Sequence, residues 1–361
     1  MEIDIIDVLK KAVDENVSDI FIISGCPLSF KTSDVIHPTD IGELGSYRLK
    51  PEDTKKCIEK IYSLSNGRDM QPFLANGDDD FSFSIEGLCR FRCNTYMQRG
   101  SMAAVLRVVV FRLPDPKVLH IPDTVINLNR NKKGLVLITG SAGSGKSTTL
   151  ACIIDKINHT RNSHIITIED PIEYLHRHDK SIVSQREVAH DTKGYVQALR
   201  AALRQAPDVI LLGEMRDYET ITTAMTAAET GQLVLSTLHT VGAANTIDRI
   251  IDVFPPNQQQ QIRVQLSMVL QAVVSQQLIP TVDGGLIPAF EIMLVNPAIR
   301  NLIRESKVHQ IDNAIYSGAG EGMVAMDTDL FRLYREGKIS RENALIYAAN
   351  PETLKKKLDN N

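Results

Sequence analysis

Residues 135–157 read LVLITGSAGSGKSTTLACIIDKI, an apolar run, a glycine-rich turn and a segment with apolar residues at Leu150, Ile153, Ile154 and Ile157. That order, strand then loop then helix, is the context a phosphate-binding loop requires. Gly140, Gly143 and Gly145 let the backbone curl so that N–H groups point inward, and the helix N-terminus beyond adds partial positive charge. Ser141, Ala142 and Ser144 fill the loop between the glycines. Lys146 is placed to reach the β and γ phosphates, the Ser147 hydroxyl to ligand Mg²⁺, and Thr148 continues the first helical turn. The pattern points to a nucleotide, with ATP and Mg²⁺ as the expected ligands.

Such a loop belongs to an α/β fold, and the rest of the second half agrees. The runs LVLITG, HIITIED, DVILLGE and LVLSTLHT read as strands separated by helices, which predicts a parallel, doubly wound sheet. Before it, a helix and short alternating strands around DFSFSIEG, CRFRCNTYMQ and AAVLRVVVFRL predict a smaller α+β domain over residues 1–112. Three prolines within LPDPKVLHIP mark residues 113–128 as a linker to a domain over 129–361, whose last third, from about Pro256, reads mostly helical. At 361 residues the chain is long for one core, so two domains are the expectation.

Ligands of open parallel sheets bind outside the carboxyl ends of the strands, and each candidate catalytic group falls there. Glu169, Asp170 and Glu173 in EDPIEYLH could steady Mg²⁺ and position a water; a solvated acidic loop is the alternative. Glu214 ends the apolar run DVILLGE, where a carboxylate can polarise water for attack on a γ-phosphate. His239 ends LVLSTLH; it either senses the γ-phosphate or serves as a structural hydrogen-bonder. His176 and His178 lack further ligands and read as loop residues. Arg90, Arg92, Arg99 and Arg107 supply positive charge in the first domain, either for a transferring phosphoryl group or as a solvated strand face.

Composition narrows the partners. With 40 basic against 44 acidic residues and no long basic run, nucleic acid is a poor candidate. Five scattered cysteines without a CxxC pair fit a reducing cytosol, with Cys89 and Cys93 as core residues. No apolar stretch is long enough to span a bilayer, so any membrane role is expected to be peripheral.

Several motifs carry a resemblance. LRQAPDVILLGEMRD resembles the signature of bacterial secretion ATPases of the type II and type IV pilus class, EDPIEYLH their aspartate box, and TLHT their histidine box. AIRNLIRE, Ala298 to Glu305, resembles a C-terminal motif of the pilus retraction ATPases. The likeness runs over nearly the whole chain and is weakest over residues 24–75. It implies a hexameric ring of subunits, each with a PAS-like N-terminal domain and a RecA-like ATPase domain. By motif, Glu214 would be the Walker B glutamate and Glu173 the aspartate-box glutamate, while Arg92 and Arg107 lie where related ATPases carry arginine fingers. The implied partners are an inner-membrane pilus platform protein and a paralogous pilus ATPase, at the cytoplasmic face of the membrane. The sequence departs from the family pattern at Ser141 and Ala142 in the loop, at Ala206 and at Gln232, which replaces the first histidine of the usual pair. A pilus assembly ATPase, which typically carries a tetracysteine zinc element, and a non-hydrolysing ring component are the competing expectations.

Overall fold

The computed structural model describes residues 3–32, 35–109 and 113–359. The chain divides into two compact units, Met1–Arg112 with Glu173–Leu175, and Leu113–Ile172 with His176–Asn361. The boundary expected at residue 112 lies outside the described residues.

In the first unit, Asp4 starts the helix Ile5–Asp14 by accepting the Ile6 N–H at 2.9 Å. The strands are β1 (Asp19–Ile22), β2 (Ser29–Thr32), β3 (Val35–Pro38), β4 (Asp78–Ser84), β5 (Arg90–Gln98) and β6 (Ser101–Val109). They form an antiparallel sheet in the order β3-β2-β1-β6-β5-β4. Alternate residues of these strands, among them Ile20, Ile22, Phe81, Phe83, Phe91, Cys93, Ala104 and Leu106, form one core with the helices Ile5–Asp14 and Pro51–Leu64. Because strand side chains alternate, Arg90, Arg92 and Arg107 fall on the opposite face.

The second unit holds β7 (Gly134–Thr139), β8 (His164–Glu169), β9 (Ile182–Glu187), β10 (Val209–Leu212), β11 (Leu233–Leu238), β12 (Leu270–Pro280) and β13 (Leu286–Leu294). Their order is β13-β12-β7-β11-β10-β8-β9, parallel throughout except for the β12–β13 pair. Leu135 and Leu137 of β7 join a core with helices Tyr195–Ala202, Tyr218–Glu229, Ala243–Asp252 and Pro256–Val269. Val136 and Ile138 join a second core, formed with helix Lys146–Thr160. A sheet covered on both faces explains why its strands read as continuous apolar runs. This is the doubly wound, RecA-like arrangement expected from the sequence.

Two expectations are corrected. The last third is not helical throughout: after its first helix, β12 and β13 extend the sheet, with β12 hydrogen-bonded to β7. Helix Pro256–Val269 runs straight into β12 at Leu270. No glycine or proline separates them, so the usual punctuation is missing. The stretch 113–128, read as a linker, is packed into the second unit, with Ile121, Val125, Ile126 and Leu128 buried. Beyond the sheet, Ile279, Ile287 and Ala289 pack with the closing helices Met326–Arg335, Arg341–Ile346 and Pro351–Asp359.

Candidate nucleotide site

The strand order decides which side chains meet. Reading across the sheet, β7 carries the glycine loop, β11 leads to His239, β10 to Glu214 and β8 to Glu169. Neighbouring parallel strands lie roughly 4.8 Å apart, so their carboxyl ends line one edge.

In the loop, Gly140, Gly143 and Gly145 take φ values of 142°, 75° and 86°, which side-chain-bearing residues rarely adopt. At Gly140 space is also decisive: a Cβ would lie 2.2 Å from the Gln276 carbonyl oxygen. Gly145 caps helix Lys146–Thr160 without a side-chain bond, which leaves the first-turn N–H groups directed into the loop. Lys146 is buried, and its ammonium donates to the carbonyls of Gly140 at 2.9 Å and Ser141 at 2.7 Å. The Ser144 hydroxyl is buried with no hydrogen-bond partner among the described residues. Ser141, Ala142, Gly143 and Ser147 are exposed, and Thr148 is half-buried. An uncapped helix start, an orphaned hydroxyl and an ammonium folded over the loop form a donor set suited to phosphate.

Glu214 is mostly buried, and one carboxylate oxygen, Oε2, meets both Arg216 Nε at 2.7 Å and His239 Nε2 at 3.4 Å. All three line a cavity of about 370 Å³. Glu169 accepts from the Thr167 hydroxyl at 2.6 Å and from the Gln185 amide at 3.3 Å, while Asp170 is exposed. Glu173 is exposed and groups with the first unit. Among the described residues, no group of three or more His, Cys, Asp and Glu side chains is arranged to hold a metal ion.

The histidines of the HRH stretch are structural. His178 Nδ1 accepts the Val183 N–H at 3.0 Å, and burial lowers the pKa of His176. Gln232 precedes β11 and His239 follows it, so the two sit at opposite ends of one strand and Gln232 lies away from the loop. Arg92 pairs with Asp80 at 2.7 Å and Arg107 with Asp19 at 2.9 Å. The two arginines stand directly opposite each other across β5 and β6, on the sheet face turned from the core.

Three contributors were missed in the sequence. Tyr195 places its hydroxyl 2.9 Å from where a Gly213 Cβ would stand. Burial, then the charges of Glu214, Asp170 and Glu169, push its pKa up, so it stays protonated. Gln276 on β12 accepts the Thr149 hydroxyl at 2.7 Å. The third is a cavity of about 270 Å³ beside Gly145, Thr148 and Thr149, lined by Val118–Ile121, Leu278, Leu286 and Pro288. Only the glycine before Glu214 could have signalled a close approach.

Comparison with known proteins agrees with this architecture. The family described as "Type II/IV secretion system protein" matches residues 78–337, starting just beyond the stretch where the motif likeness is weakest. The chain is 44% identical over 351 residues to the type IV pilus retraction ATPase PilT of Pseudomonas aeruginosa, covering 97% of this chain and 100% of that protein. It is 44% identical over 314 residues to a twitching motility protein of Neisseria gonorrhoeae, covering 87% of this chain and 84% of the other. Its fold superposes on the crystal structure of the pilus retraction motor PilT with bound ADP at a TM-score of 0.88, with 47% identity, 98% of this chain and 100% of that one covered. With the phosphate loop, the acid-ended strand and the histidine that follows the next strand in place, the chain belongs to the type II/IV secretion system protein family.

Proposed function

We propose that this protein is a mechanochemical ATPase that powers type IV pilus retraction from the cytoplasmic face of the membrane, working as a homo-hexameric ring. The observation that supports this most directly is the Glu214 carboxylate, held between Arg216 and His239 at the edge shared with the glycine loop. It accompanies near full-length likeness to a protein named for pilus retraction.

In this reading, loop N–H groups and Lys146 bind the phosphates, and the Val118–Ile121 cavity beside Thr148 receives the base against its apolar walls. Glu214 orients and deprotonates the attacking water, and His239, touching the same oxygen, registers loss of the γ-phosphate. Ser147 would hold Mg²⁺, with Glu169 and Asp170 acting through water, and the ion would neutralise charge on the phosphates. Glu173 supports hydrolysis from the aspartate box. Arg92 and Arg107, standing side by side, supply cations to a transferring phosphoryl group. The ring would turn an inner-membrane platform protein, with a paralogous pilus ATPase as a second partner. Among the described residues no helix is long and apolar enough to cross a membrane.

The test combines chemistry with phenotype: ATP turnover by the purified chain, and a count of surface pili by electron microscopy in cells lacking the gene. Turnover, together with excess pili that wild type but not Lys146→Ala returns to normal, is the expected result. Bald cells would assign the chain to pilus extension instead.

A further inference from the structure

The β12–β13 hairpin, which the sequence did not announce, touches two places on the nucleotide edge. Ser275 and Gln276 are consecutive on β12 and both buried, so they face opposite sides of the sheet. On one side, Gln276 Oε1 accepts the hydroxyl of Thr149, in the opening turn of the loop helix, at 2.7 Å. The same side chain lies 2.9 Å from where a Gly145 Cβ would stand, and its backbone oxygen closes on Gly140. On the other side, Ser275 Oγ accepts the Gly242 N–H at 2.9 Å. Opposite Ser275 in register, Glu291 accepts the Ala243 N–H at 2.7 Å. Those two N–H groups open helix Ala243–Asp252, which begins four residues after His239.

We infer that Ser275 and Gln276 are positioning residues with separate tasks: Gln276 fixes the loop that grips the nucleotide, and Ser275 fixes the His239–Gly242 segment that serves turnover. The inference rests on the ATPase reading above. Losing the Gln276 acceptor leaves the Thr149 hydroxyl buried without a partner, and the loop relaxes to satisfy it. Losing the Ser275 acceptor frees the Gly242 N–H, and the segment carrying His239 drifts from Glu214 while the loop is untouched.

The experiment uses the full chain with a fluorescent ADP analogue for binding and steady-state ATP hydrolysis for turnover. Gln276→Leu is expected to weaken analogue binding and raise KM roughly tenfold with kcat nearly unchanged, and Thr149→Val to do the same with Gln276 intact. Ser275→Ala is expected to lower kcat roughly tenfold with unaltered binding, and Ser275→Thr, which keeps the acceptor, to restore it. Gln277→Ala, on the same strand but bonded to the Tyr347 carbonyl at 3.1 Å, should move neither. If both variants shift binding and kcat together with melting temperature, or shift neither, the division of tasks is overturned. A wild-type chain that binds the analogue but does not turn over ATP would sink the ATPase reading instead, and the binding arm would still judge Gln276.

Discussion

Ala206 holds a left-handed backbone, φ 51°, just before β10, at the position where the family pattern has Asp. A Cβ in that region costs about 1–2 kcal/mol, and replacing it with glycine returns about 0.4–1 kcal/mol of that as unfolded-state entropy. Ala206→Gly is therefore expected to raise the melting temperature slightly and leave turnover alone, which calorimetry and an ATPase assay would check. At the site itself, Lys146→Ala should abolish turnover, because in the proposed reading the ammonium that lies over the loop binds the phosphates. Glu214→Gln keeps the size of the side chain and one acceptor oxygen but loses the carboxylate proposed as the base. It is expected to bind nucleotide normally and turn over at least 10²-fold more slowly, a loss that single-turnover kinetics would resolve. These residues were legible because each sits in a spacing that chemistry demands: glycines before a lysine, an acid after an apolar strand. Gln276 and Tyr195 were not, because an isolated glutamine in a strand or tyrosine at a helix start gains meaning only from what the fold brings against it. Gln232 shows the converse. A change inside a recognised motif suggests a loss at the site, yet the residue lies at the other end of the strand from His239.

Among the elements, β12–β13 ties stability to pH. Glu291 is buried on β13; desolvation, then repulsion from Asp312 and Asp327, raises its pKa above the ordinary 4.5, against the opposing N–H donors of Ala243 and Met326. His309 and Lys357 line the same cavity of about 730 Å³. A carboxyl that holds its proton more tightly when folded gives stability that is fully present below pH 4.5 and is lost as pH rises through the folded value. Glu291→Gln retains an oxygen for the Ala243 N–H without a buried charge. Its melting temperature is expected to exceed that of wild type near neutrality, and the gap to close in acid, as thermal scans across pH would show. The parallel strands β7, β8, β10 and β11 were readable because a sheet buried on both faces writes long apolar runs, whereas β9, reading IVSQRE at the sheet's edge, carries no such run. The hairpin was not, since helix Pro256–Val269 passes into β12 with no breaking residue and Gln271, Gln276 and Gln277 dilute the apolar signal.

For the whole molecule, assembly and chemistry are expected to be joined. If neighbouring subunits complete one another's sites, hydrolysis per chain should rise with protein concentration as rings form. Arg107→Ala should leave that assembly intact, measured by light scattering, while slowing turnover. Because Arg107 pairs with the nearly buried Asp19, Arg107→Lys serves as the variant that keeps a cation there but lacks the planar fork.

The strand order has a consequence for how the chain is made. The glycine loop leaves β7, and β7 is flanked by β11 and β12, strands that follow it in sequence by roughly a hundred residues or more. A chain emerging from the ribosome therefore exposes its phosphate loop long before it can build the walls around it. Gln276, which braces the loop helix, arrives last of these. Nucleotide is therefore expected to reward a sheet that is already nearly closed rather than to template an early one, and ribosome-arrested chains ending before residue 270 should fail to retain it.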